Sequence, residues 1–223
     1  MVRSIFDRLD YTQLGSIYCD EGGDAFWKAR RSACEKLGLN LAAALRSRLK
    51  TGGRSLYVGA GVAELPLLIM ERLELKREVA AFNLRAEEVA VLNEALAPLD
   101  IELQCADAGL ADGRFDHLAM ISTLNDPERF PQLSALSYGR ADPSIFDPKA
   151  FVAERQIVLA LADACLGKLT TPALVTTSVE EIVWITGWCA RQGIPCHVGM
   201  KLHPTAIVED PVCFIRVGGG KTR

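Results

Sequence analysis

The chain has 223 residues, of which 49% are hydrophobic and 24% charged, and its formal net charge is −3. This composition suits one sizeable domain with a full core, and the mild charge argues against a general nucleic-acid binder, which would be strongly basic. Seven cysteines without a C-x-x-C pair and three histidines without ligand spacing indicate neither a disulfide framework nor a metal site. No apolar run approaches the roughly 20 residues that span a bilayer. Charged residues also interrupt any signal sequence, so we expect a cytoplasmic protein without membrane contact.

Residues 1–54 are predicted to form a helical segment that is interrupted at Gly38 and Asn40. From residue 55 to residue 217, strand-like and helix-like patterns alternate, which is typical of a mostly parallel sheet. The predicted strands are 56–58, 78–82, 101–105, 115–121, 172–177, 195–202 and 212–217, and the helices between them are 65–75, 86–97, 151–166 and 178–191. Only residues 204–211 separate the last two strands, too few for a helical crossover, so the last strand must run antiparallel.

The alternation stalls in residues 125–149, which contain four of the ten prolines and show no clear period. We predict a loop insertion here, packed by Phe130, Tyr138 and Phe146 and acting as a lid or an acceptor-recognition loop. Residues 218–223 are predicted to form a flexible tail. The fold prediction is therefore an α/β domain over 55–217, with N-terminal helices before it. Its doubly wound, mostly parallel seven-stranded sheet ends in an antiparallel β-hairpin.

A glycine turn follows the first predicted strand, in Tyr57-Val-Gly59-Ala-Gly61, and an apolar helical pattern comes directly after it. Glycines let the chain turn sharply and approach a ligand closely, and a helix N-terminus offers free N–H groups. Strand, glycine turn and helix together are the arrangement with which open α/β sheets bind nucleotide-bearing ligands.

The order of these elements and motifs resembles the class I S-adenosylmethionine-dependent methyltransferase family over residues 55–217. Gly59 and Gly61 match two glycines of the family's first motif, while Tyr57 stands in place of its carboxylate and Ala63 in place of a third glycine. The resemblance implies S-adenosylmethionine as the cofactor, with Tyr57, Gly59 and Gly61 next to its amino-acid half.

The same resemblance implies two further cofactor contacts. Asn83 ends the second strand, where the family has a carboxylate that binds the ribose hydroxyls; its amide can still accept and donate hydrogen bonds. Glu87 and Glu88 follow within the next helix and are not expected to replace that carboxylate. Asp107, with Ala108, follows the third strand, where the family binds adenine.

The acceptor is expected at the end of the fourth strand, facing Ser122, Asn125 and Asp126. Asn125-Asp-Pro127 is similar to the N-P-P-Y motif of amino-methylating enzymes, but the second proline and the aromatic residue are absent, so a simple turn is favoured. No catalytic residue is identified by the sequence.

Tyr138 and His203 remain open to two interpretations each, whereas one interpretation is favoured for Trp184 and Trp188. Tyr138 lines the substrate pocket or pins the loop. His203 is a general base or a hairpin-turn residue without a catalytic role. Trp184 and Trp188, four residues apart on one helix, are expected to pack against the sheet.

The functional hypothesis is a methyltransferase with a small-molecule or protein acceptor; nucleic acid is disfavoured by the charge. The alternative is an inactive, methyltransferase-like binding or scaffold protein, which the departures at Tyr57, Ala63 and Asn83 favour. A nicotinamide-dependent dehydrogenase fits less well, because its G-x-G-x-x-G motif would need a small residue at Glu64. The sequence does not indicate an oligomeric state.

Overall fold

The structure of the protein is a computed structural model that describes residues 2–18, 23–205 and 210–219. Most of the predicted tail, residues 220–223, lies outside the described residues. Within them, seven strands form one sheet: β1 (Arg54–Val58), β2 (Glu78–Asn83), β3 (Leu103–Cys105), β4 (Phe115–Met120), β5 (Leu169–Ser178), β6 (Cys196–Val198) and β7 (Val212–Val217).

The spatial order of the strands is β3-β2-β1-β4-β5-β7-β6. The pairs from β3 to β5 are parallel, whereas β7 lies antiparallel between β5 and β6. The predicted α/β fold with a mostly parallel sheet and an antiparallel end is therefore confirmed. From β1 the chain adds β2 and β3 on one side of the sheet and then β4 and β5 on the other side. The carboxyl ends of the two central strands, β1 and β4, therefore border a crevice.

The described α-helices are α1 (Val2–Phe6), α2 (Tyr11–Tyr18), α3 (Gly23–Arg46), α4 (Leu65–Ile69), α5 (Ala86–Leu96), α6 (Pro131–Ser137), α7 (Pro148–Leu166) and α8 (Ile182–Arg191). Helices α1 to α5 share one apolar layer with one face of the sheet. Helices α6 to α8 contribute to the apolar layer on the other face. Both faces of the central strands are thus covered, which explains why those strands are apolar along most of their length.

Helix α3 runs without a break through the predicted interruption at Gly38 and Asn40. A Cβ atom at Gly38 would lie 2.5 Å from the Ala63 carbonyl oxygen and 2.6 Å from Cγ of Pro66. The glycine therefore lets α3 pack closely against the start of α4 and does not end the helix. This contact brings the N-terminal helices onto the edge of the sheet where the glycine turn lies.

The segment 125–149 is not the continuous loop that the sequence predicts. Residues 131–137 form α6, and α7 already begins at Pro148, with the Asp147 side chain capping its N-terminus. The buried Glu154 accepts hydrogen bonds from the backbone N–H groups of Gln132 (3.3 Å) and Leu133 (2.8 Å). Both helices begin at a proline, which is favoured in the first helical turn because its missing N–H needs no partner there.

Candidate cofactor and substrate site

A cavity of about 330 Å³ lies at the carboxyl ends of β1, β2, β3 and β4. This size is within the range of small-molecule sites, and this edge of an open α/β sheet is where ligands bind. Nine of the eleven predicted site residues line it: Gly59, Gly61, Asn83, Asp107, Ala108, Ser122, Asn125, Asp126 and Tyr138. Tyr57 and His203 are not among the lining residues.

The glycine turn forms the floor of the cavity, and its two glycines differ in conformation. Gly59 has φ +70°, the left-handed region, whereas Gly61 is extended, with φ −124°. The Gly61 N–H donates to Oε2 of Glu64 at 2.9 Å. Glu64 also lines the cavity. Burial raises the pKa of Glu64 to about 7, and the charge of Glu88 adds to this rise.

Asn83, at the end of β2, uses both amide hydrogens within the chain. Its Nδ2 donates to the Ala60 carbonyl oxygen (2.9 Å) and to Oε2 of Glu88 (3.0 Å), and its Oδ1 accepts from the Arg85 N–H (2.9 Å). Glu88 is buried and lines the cavity from the first turn of α5. Although neither Glu87 nor Glu88 was expected to replace the ribose carboxylate, Glu88 does lie at the end of β2, oriented by Asn83.

Asp107 follows β3 and caps the short 3₁₀ turn of residues 108–110. Its Oδ1 accepts the Gly109 N–H at 2.7 Å, while the side chain remains exposed at the cavity wall. Ala108 is buried beside it. The cap fixes the carboxylate at the carboxyl end of the strand, where the sequence predicts an adenine contact.

The prediction that Tyr57 belongs to the cofactor site is corrected by the structure, because the Tyr57 side chain points away from the cavity. It is fully buried in the apolar layer shared with α1 to α5, and its hydroxyl donates to Oε1 of Glu71 at 2.5 Å. Side chains alternate between the two faces of a strand, so Tyr57 and the turn that follows β1 need not face the same ligand. Tyr57 therefore belongs to a buried polar cluster under the sheet.

Glu71 is the centre of that cluster. It accepts hydrogen bonds from Ser55 and from Nε of Arg77 (3.0 Å), and Nδ1 of His117 lies 2.9 Å from its Oε1. Residues 70–74 form a π-helical turn, the irregularity at which Glu71 enters the protein interior. Burial acts to raise the pKa of Glu71, but the His117 charge and the hydrogen bonds to the carboxylate outweigh burial and lower it.

The turn after β4 is held by one carboxylate, Glu181, from the turn that follows the neighbouring parallel strand β5. Glu181 accepts the backbone N–H groups of Ser122 (3.2 Å), Thr123 (2.6 Å) and Leu124 (2.6 Å). The Thr177 hydroxyl donates to it as well, at 2.8 Å. Ser122 has a left-handed φ of +54°, which these bonds hold in place.

Asn125 follows this turn and is completely buried at the cavity wall. Its Oδ1 accepts from Nε1 of Trp184 at 3.4 Å, whereas its Nδ2 has no hydrogen-bond partner among the described residues. An unpaired buried donor is costly unless a ligand or water completes it. Trp184, which the sequence assigns only to packing, thus also orients Asn125 toward the cavity.

Asp126 and Arg85 form a bridge across the cavity mouth. Arg85 pairs with Oε2 of Glu128 (2.6 Å) and lies 3.8 Å from Oδ2 of Asp126. This bridge links the segment after β2 to the segment after β4, so the two sides of the crevice are tied together at its rim.

Of the two residues that the sequence leaves open, Tyr138 lines the cavity and His203 does not. Tyr138 lines the cavity and donates to Oδ2 of Asp210 at 3.2 Å; burial and that carboxylate raise the pKa of its hydroxyl. His203 does not line the cavity: its ring packs edge-on against Phe214 at 5.6 Å, and its backbone pairs with Val212. Burial, together with the charges of Lys201 and Arg48, lowers the pKa of His203. The structure gives this histidine a packing role and no contact with the site.

Neither a metal site nor a membrane-spanning helix is found in the part of the chain that the structure describes. No group of three or more histidine, cysteine, aspartate or glutamate side chains is arranged to hold a metal ion. Nor is any helix in this part long and apolar enough to cross a membrane.

Comparison with solved structures relates this architecture to methyltransferases. Magnesium protoporphyrin IX methyltransferase (ChlM) from Synechocystis PCC 6803, solved with bound S-adenosylmethionine, matches with a TM-score of 0.54 at 13% identity, over 98% of this chain and 95% of that one. A methyltransferase from Pyrococcus furiosus matches with a TM-score of 0.52 at 13% identity, over 82% and 83%. Trm5b from Pyrococcus abyssi matches with a TM-score of 0.50 at 11% identity, over 81% of this chain and 48% of that one.

The chain has the class I S-adenosylmethionine-dependent methyltransferase fold. It spans about half the length of the Trm5b chain, and at these identities the likeness extends to the fold alone. No family model matches the sequence, and no curated protein matches it.

Three carboxylates that shape the site were missed by sequence reasoning: Glu64, Glu88 and Glu181. The Ser178-Val-Glu-Glu181 pattern was visible as a helix start, and the structure contains this capping box. That the same carboxylate also reaches across to the turn after β4 depends on the pairing of β4 with β5 and has no local signal. Glu64 and Glu88 likewise carry no motif of their own.

Proposed function

We propose that this chain is an S-adenosylmethionine-dependent methyltransferase that acts on a small-molecule acceptor. The observation that carries the proposal is the cavity at the carboxyl ends of the four neighbouring parallel strands, which gathers the glycine turn, Asn83, Asp107 and Asn125 in one wall. The cavity fits a bound ligand in a further respect: Nδ2 of Asn125 is a buried donor that lacks a partner among the described residues.

In this proposal the backbone of Gly59 and Gly61 approaches the amino-acid half of the cofactor. Glu88, held by Asn83, accepts hydrogen bonds from the ribose hydroxyls, and Asp107 accepts a hydrogen bond from the adenine amine. When bound, S-adenosylmethionine would supply a methyl group on a positively charged sulfur. The acceptor would take this methyl group by in-line displacement, with the neutral sulfur of S-adenosylhomocysteine as the leaving group. The protein therefore needs chiefly to position the acceptor and to keep water out.

The enclosed end of the cavity favours a small acceptor over a macromolecule. Trp27 and Leu41 on α3 are almost completely buried, and so is Val212 at the start of β7, yet all three line the cavity. A macromolecule could reach a surface this deep only by inserting a single side chain or a flipped base, whereas a small molecule could enter whole. We infer an acceptor with an apolar body that packs against these residues and a hydrogen-bond acceptor for Nδ2 of Asn125.

Isothermal titration calorimetry with S-adenosylmethionine and S-adenosylhomocysteine tests the proposal. We expect saturable binding at a stoichiometry of one to the wild type and its loss in Gly61→Val, because the added side chain lies at the cavity wall. Gly187→Ala is the matched control: it lies in α8, where a Cβ would meet only the end of the Arg191 side chain, at 3.9 Å. Absence of binding to the wild type at millimolar ligand would contradict the proposal.

The second candidate is a scaffold that binds a partner and does not transfer methyl groups. A specific observation favours it: the Gly61 N–H and both amide hydrogens of Asn83 are already used within the chain. In this candidate the internal bonds replace those that a cofactor would make. The same titration separates the two candidates, since a scaffold of this kind would bind neither compound.

A further inference from the structure

We propose that the methyl acceptor is an uncharged hydroxyl group, such as that of a phenol, and that Asn125 and Tyr138 select it over an amine or a carboxylate. This inference rests on the proposed function and names the class of group that the protein would methylate. It depends on which hydrogen-bonding atoms these two side chains have left for a ligand once their contacts within the chain are made.

The contact with Trp184 fixes the orientation of the Asn125 amide. An indole N–H can only donate a hydrogen bond, so Oδ1 of Asn125 faces Nε1 of Trp184, at 3.4 Å, and Nδ2 faces away from it. Asn125 is completely buried in the cavity wall, and its Nδ2 has no partner among the described residues. Since a buried donor without a partner is costly, this position calls for a ligand atom with a lone pair.

Tyr138 has the complementary property, because its hydroxyl oxygen is left to accept. Its hydroxyl hydrogen is used by Asp210, whose Oδ2 lies 3.2 Å from the Tyr138 oxygen. Asp210 is almost completely buried, and its Oδ1 accepts the Glu180 N–H at 3.1 Å. A carboxylate accepts and does not donate, so only the lone pairs of the Tyr138 oxygen remain for a ligand. Burial and Asp210 also raise the pKa of Tyr138, so this hydroxyl keeps its proton at neutral pH.

The charges around Tyr138 disfavour an anionic acceptor. Besides Asp210, the carboxylates of Glu180 and Glu181 act on its hydroxyl. The Arg140 guanidinium lies over the Tyr138 ring, 5.3 Å from its centroid, but Arg140 is exposed, so solvent screens its charge. A carboxylate in contact with Tyr138 would therefore be repelled by Asp210.

A hydroxyl group satisfies both side chains and can still react. One lone pair of its oxygen accepts from Nδ2 of Asn125, the other attacks the methyl group, and its hydrogen is donated to the Tyr138 oxygen. An amine nitrogen has a single lone pair, which the reaction consumes, so Nδ2 would stay unpaired. A carboxylate has no hydrogen for Tyr138. The buried wall of Trp27, Leu41 and Val212 suits the apolar body of a phenol.

The same contacts provide a path for the proton that methylation releases. The hydroxyl oxygen forms a bond to the methyl carbon, and the bond between that carbon and the sulfur breaks, with its electron pair left on the sulfur. The hydroxyl proton passes to the Tyr138 oxygen while the Tyr138 proton passes to Oδ2 of Asp210. The positive charge of the sulfonium and the negative charge of Asp210 are lost together, so charge is conserved. Asp210 then returns the proton to water.

Binding of matched aromatic probes tests the inference without requiring methyl transfer. The probes are phenol, 4-ethylphenol and 2-naphthol, each compared with the amine and the carboxylate of the same ring system. Their affinities are measured by nuclear magnetic resonance titration at pH 7, with and without S-adenosylhomocysteine. We expect at least one hydroxyl probe to bind at least about fivefold more tightly than its amine and its carboxylate, since each of these leaves one polar group of the wall unpaired.

Substitution of Asp210 tests the role of Tyr138 through a gain of binding. In Asp210→Asn the amide can donate to the Tyr138 oxygen, which frees the Tyr138 hydrogen for the ligand. We expect the carboxylate probe to bind at least about threefold more tightly than it binds the wild type, and the preference for the hydroxyl to shrink. Misfolding cannot produce such a gain. Asp163→Asn, which removes an exposed carboxylate paired with Arg191, is the control and should change neither affinity.

Substitution of Trp184 tests the orientation of Asn125. Trp184→Phe removes the Nε1–H that holds Oδ1, so the amide can turn and offer its oxygen to an amine N–H. We expect the preference for the hydroxyl probe over the amine to fall at least about threefold. Trp188→Phe, one turn further along α8 and packed in the apolar layer, is the control and should leave this preference unchanged.

The proton path is tested separately with S-adenosylmethionine present. Tyr138→Phe is expected to slow methyl transfer to the hydroxyl probe at least about a hundredfold, the contribution of a positioned proton acceptor, while the affinity for S-adenosylhomocysteine stays unchanged. A rate equal to that of the wild type would show that Tyr138 takes no proton.

The outcomes separate this inference from the proposed function. Equal affinity of the wild type for the three kinds of probe, tighter binding of the amine or the carboxylate, or failure of every hydroxyl probe to bind would overturn the inference while the cofactor site stands. If the wild type prefers the hydroxyl probes but binds no S-adenosylmethionine, the proposed function is wrong and the selection of hydroxyl groups alone stands.

Discussion

At the scale of single residues, the two glycines of the turn after β1 have separate tasks. Gly59 has φ +70°, and a Cβ there would lie 3.0 Å from Oγ1 of Thr123. Gly61 is extended, a conformation that any residue adopts, and it lines the cavity. A glycine is therefore required at position 59 by the backbone, whereas at position 61 only the proposed cofactor contact would require one.

We expect Gly59→Ala to destabilise the protein by about 1–3 kcal/mol, the cost of holding a non-glycine residue in the left-handed region. Gly61→Val should leave the melting temperature nearly unchanged and act on ligand binding. Urea denaturation of both variants measures the difference. Equal destabilisation by the two substitutions would show that the assignment of conformational and ligand-related roles is wrong.

Glu71 is the second residue whose role can be tested alone. It is completely buried with Arg77 and His117, and removing one partner of a buried ion pair leaves the others uncompensated. Glu71→Gln is expected to lower the free energy of unfolding by about 3–5 kcal/mol at pH 7. As control, Glu78→Gln removes an exposed pair with Arg54 and should cost less than about 1 kcal/mol.

The pH dependence of the Glu71→Gln effect has a predicted direction. The folded-state pKa of Glu71 is lowered, so its ionised form stabilises the fold fully above the unfolded-state pKa. This contribution is lost as the pH falls below about 4, toward the folded-state pKa. Urea titrations at pH 7, 5 and 3.5 should therefore show a constant difference between wild type and variant at the two higher values and a smaller one at the lowest.

At the scale of secondary-structure elements, the turn after β4 depends on Glu181. This carboxylate accepts three consecutive N–H groups, from Ser122 to Leu124, although burial raises its pKa. In Glu181→Gln one carboxylate oxygen becomes an NH₂ group that faces N–H donors. We expect faster hydrogen exchange of residues 122–124, a loss of about 1–3 kcal/mol in stability, and weaker cofactor binding. Exchange rates in the turn that match those of the wild type would contradict this role.

The same scale shows what the sequence determines and what it does not. The boundaries of β7 were predicted correctly, because an apolar run between turn residues is a local signal. The break at Gly38 was predicted wrongly, because the reason for that glycine is its contact with Ala63 and Pro66, which lie far away in the chain. Helix α6 was missed because it is a single short stretch of seven residues in a proline-rich segment.

At the scale of the candidate site, location was predictable and detail was not. The ends of parallel strands meet at one edge, so strand assignments alone brought Gly59, Asn83, Asp107 and Asn125 together. Whether a donor such as Nδ2 of Asn83 is free for a ligand depends on partners that only the folded structure supplies. The orientation of Tyr57, likewise, follows from the buried Glu71 and not from its place in a motif.

At the scale of the whole molecule, the strand order places four carboxyl ends around one cavity, and α3 closes it on the side of Trp27 and Leu41. In the function proposed above, the sheet provides the cofactor half of the site, and the N-terminal helices provide the wall for the acceptor. The central claim is that this cavity holds S-adenosylmethionine in the orientation that the motifs imply.

A crystal structure of the protein with saturating S-adenosylmethionine tests this claim most directly. We predict the ligand in the cavity, with its amino-acid half against Gly59 and Gly61, its adenine beside Asp107, and its sulfonium methyl group directed toward the side chain of Asn125. A ligand bound elsewhere, or a cavity that stays free of ligand at millimolar concentration, would contradict it.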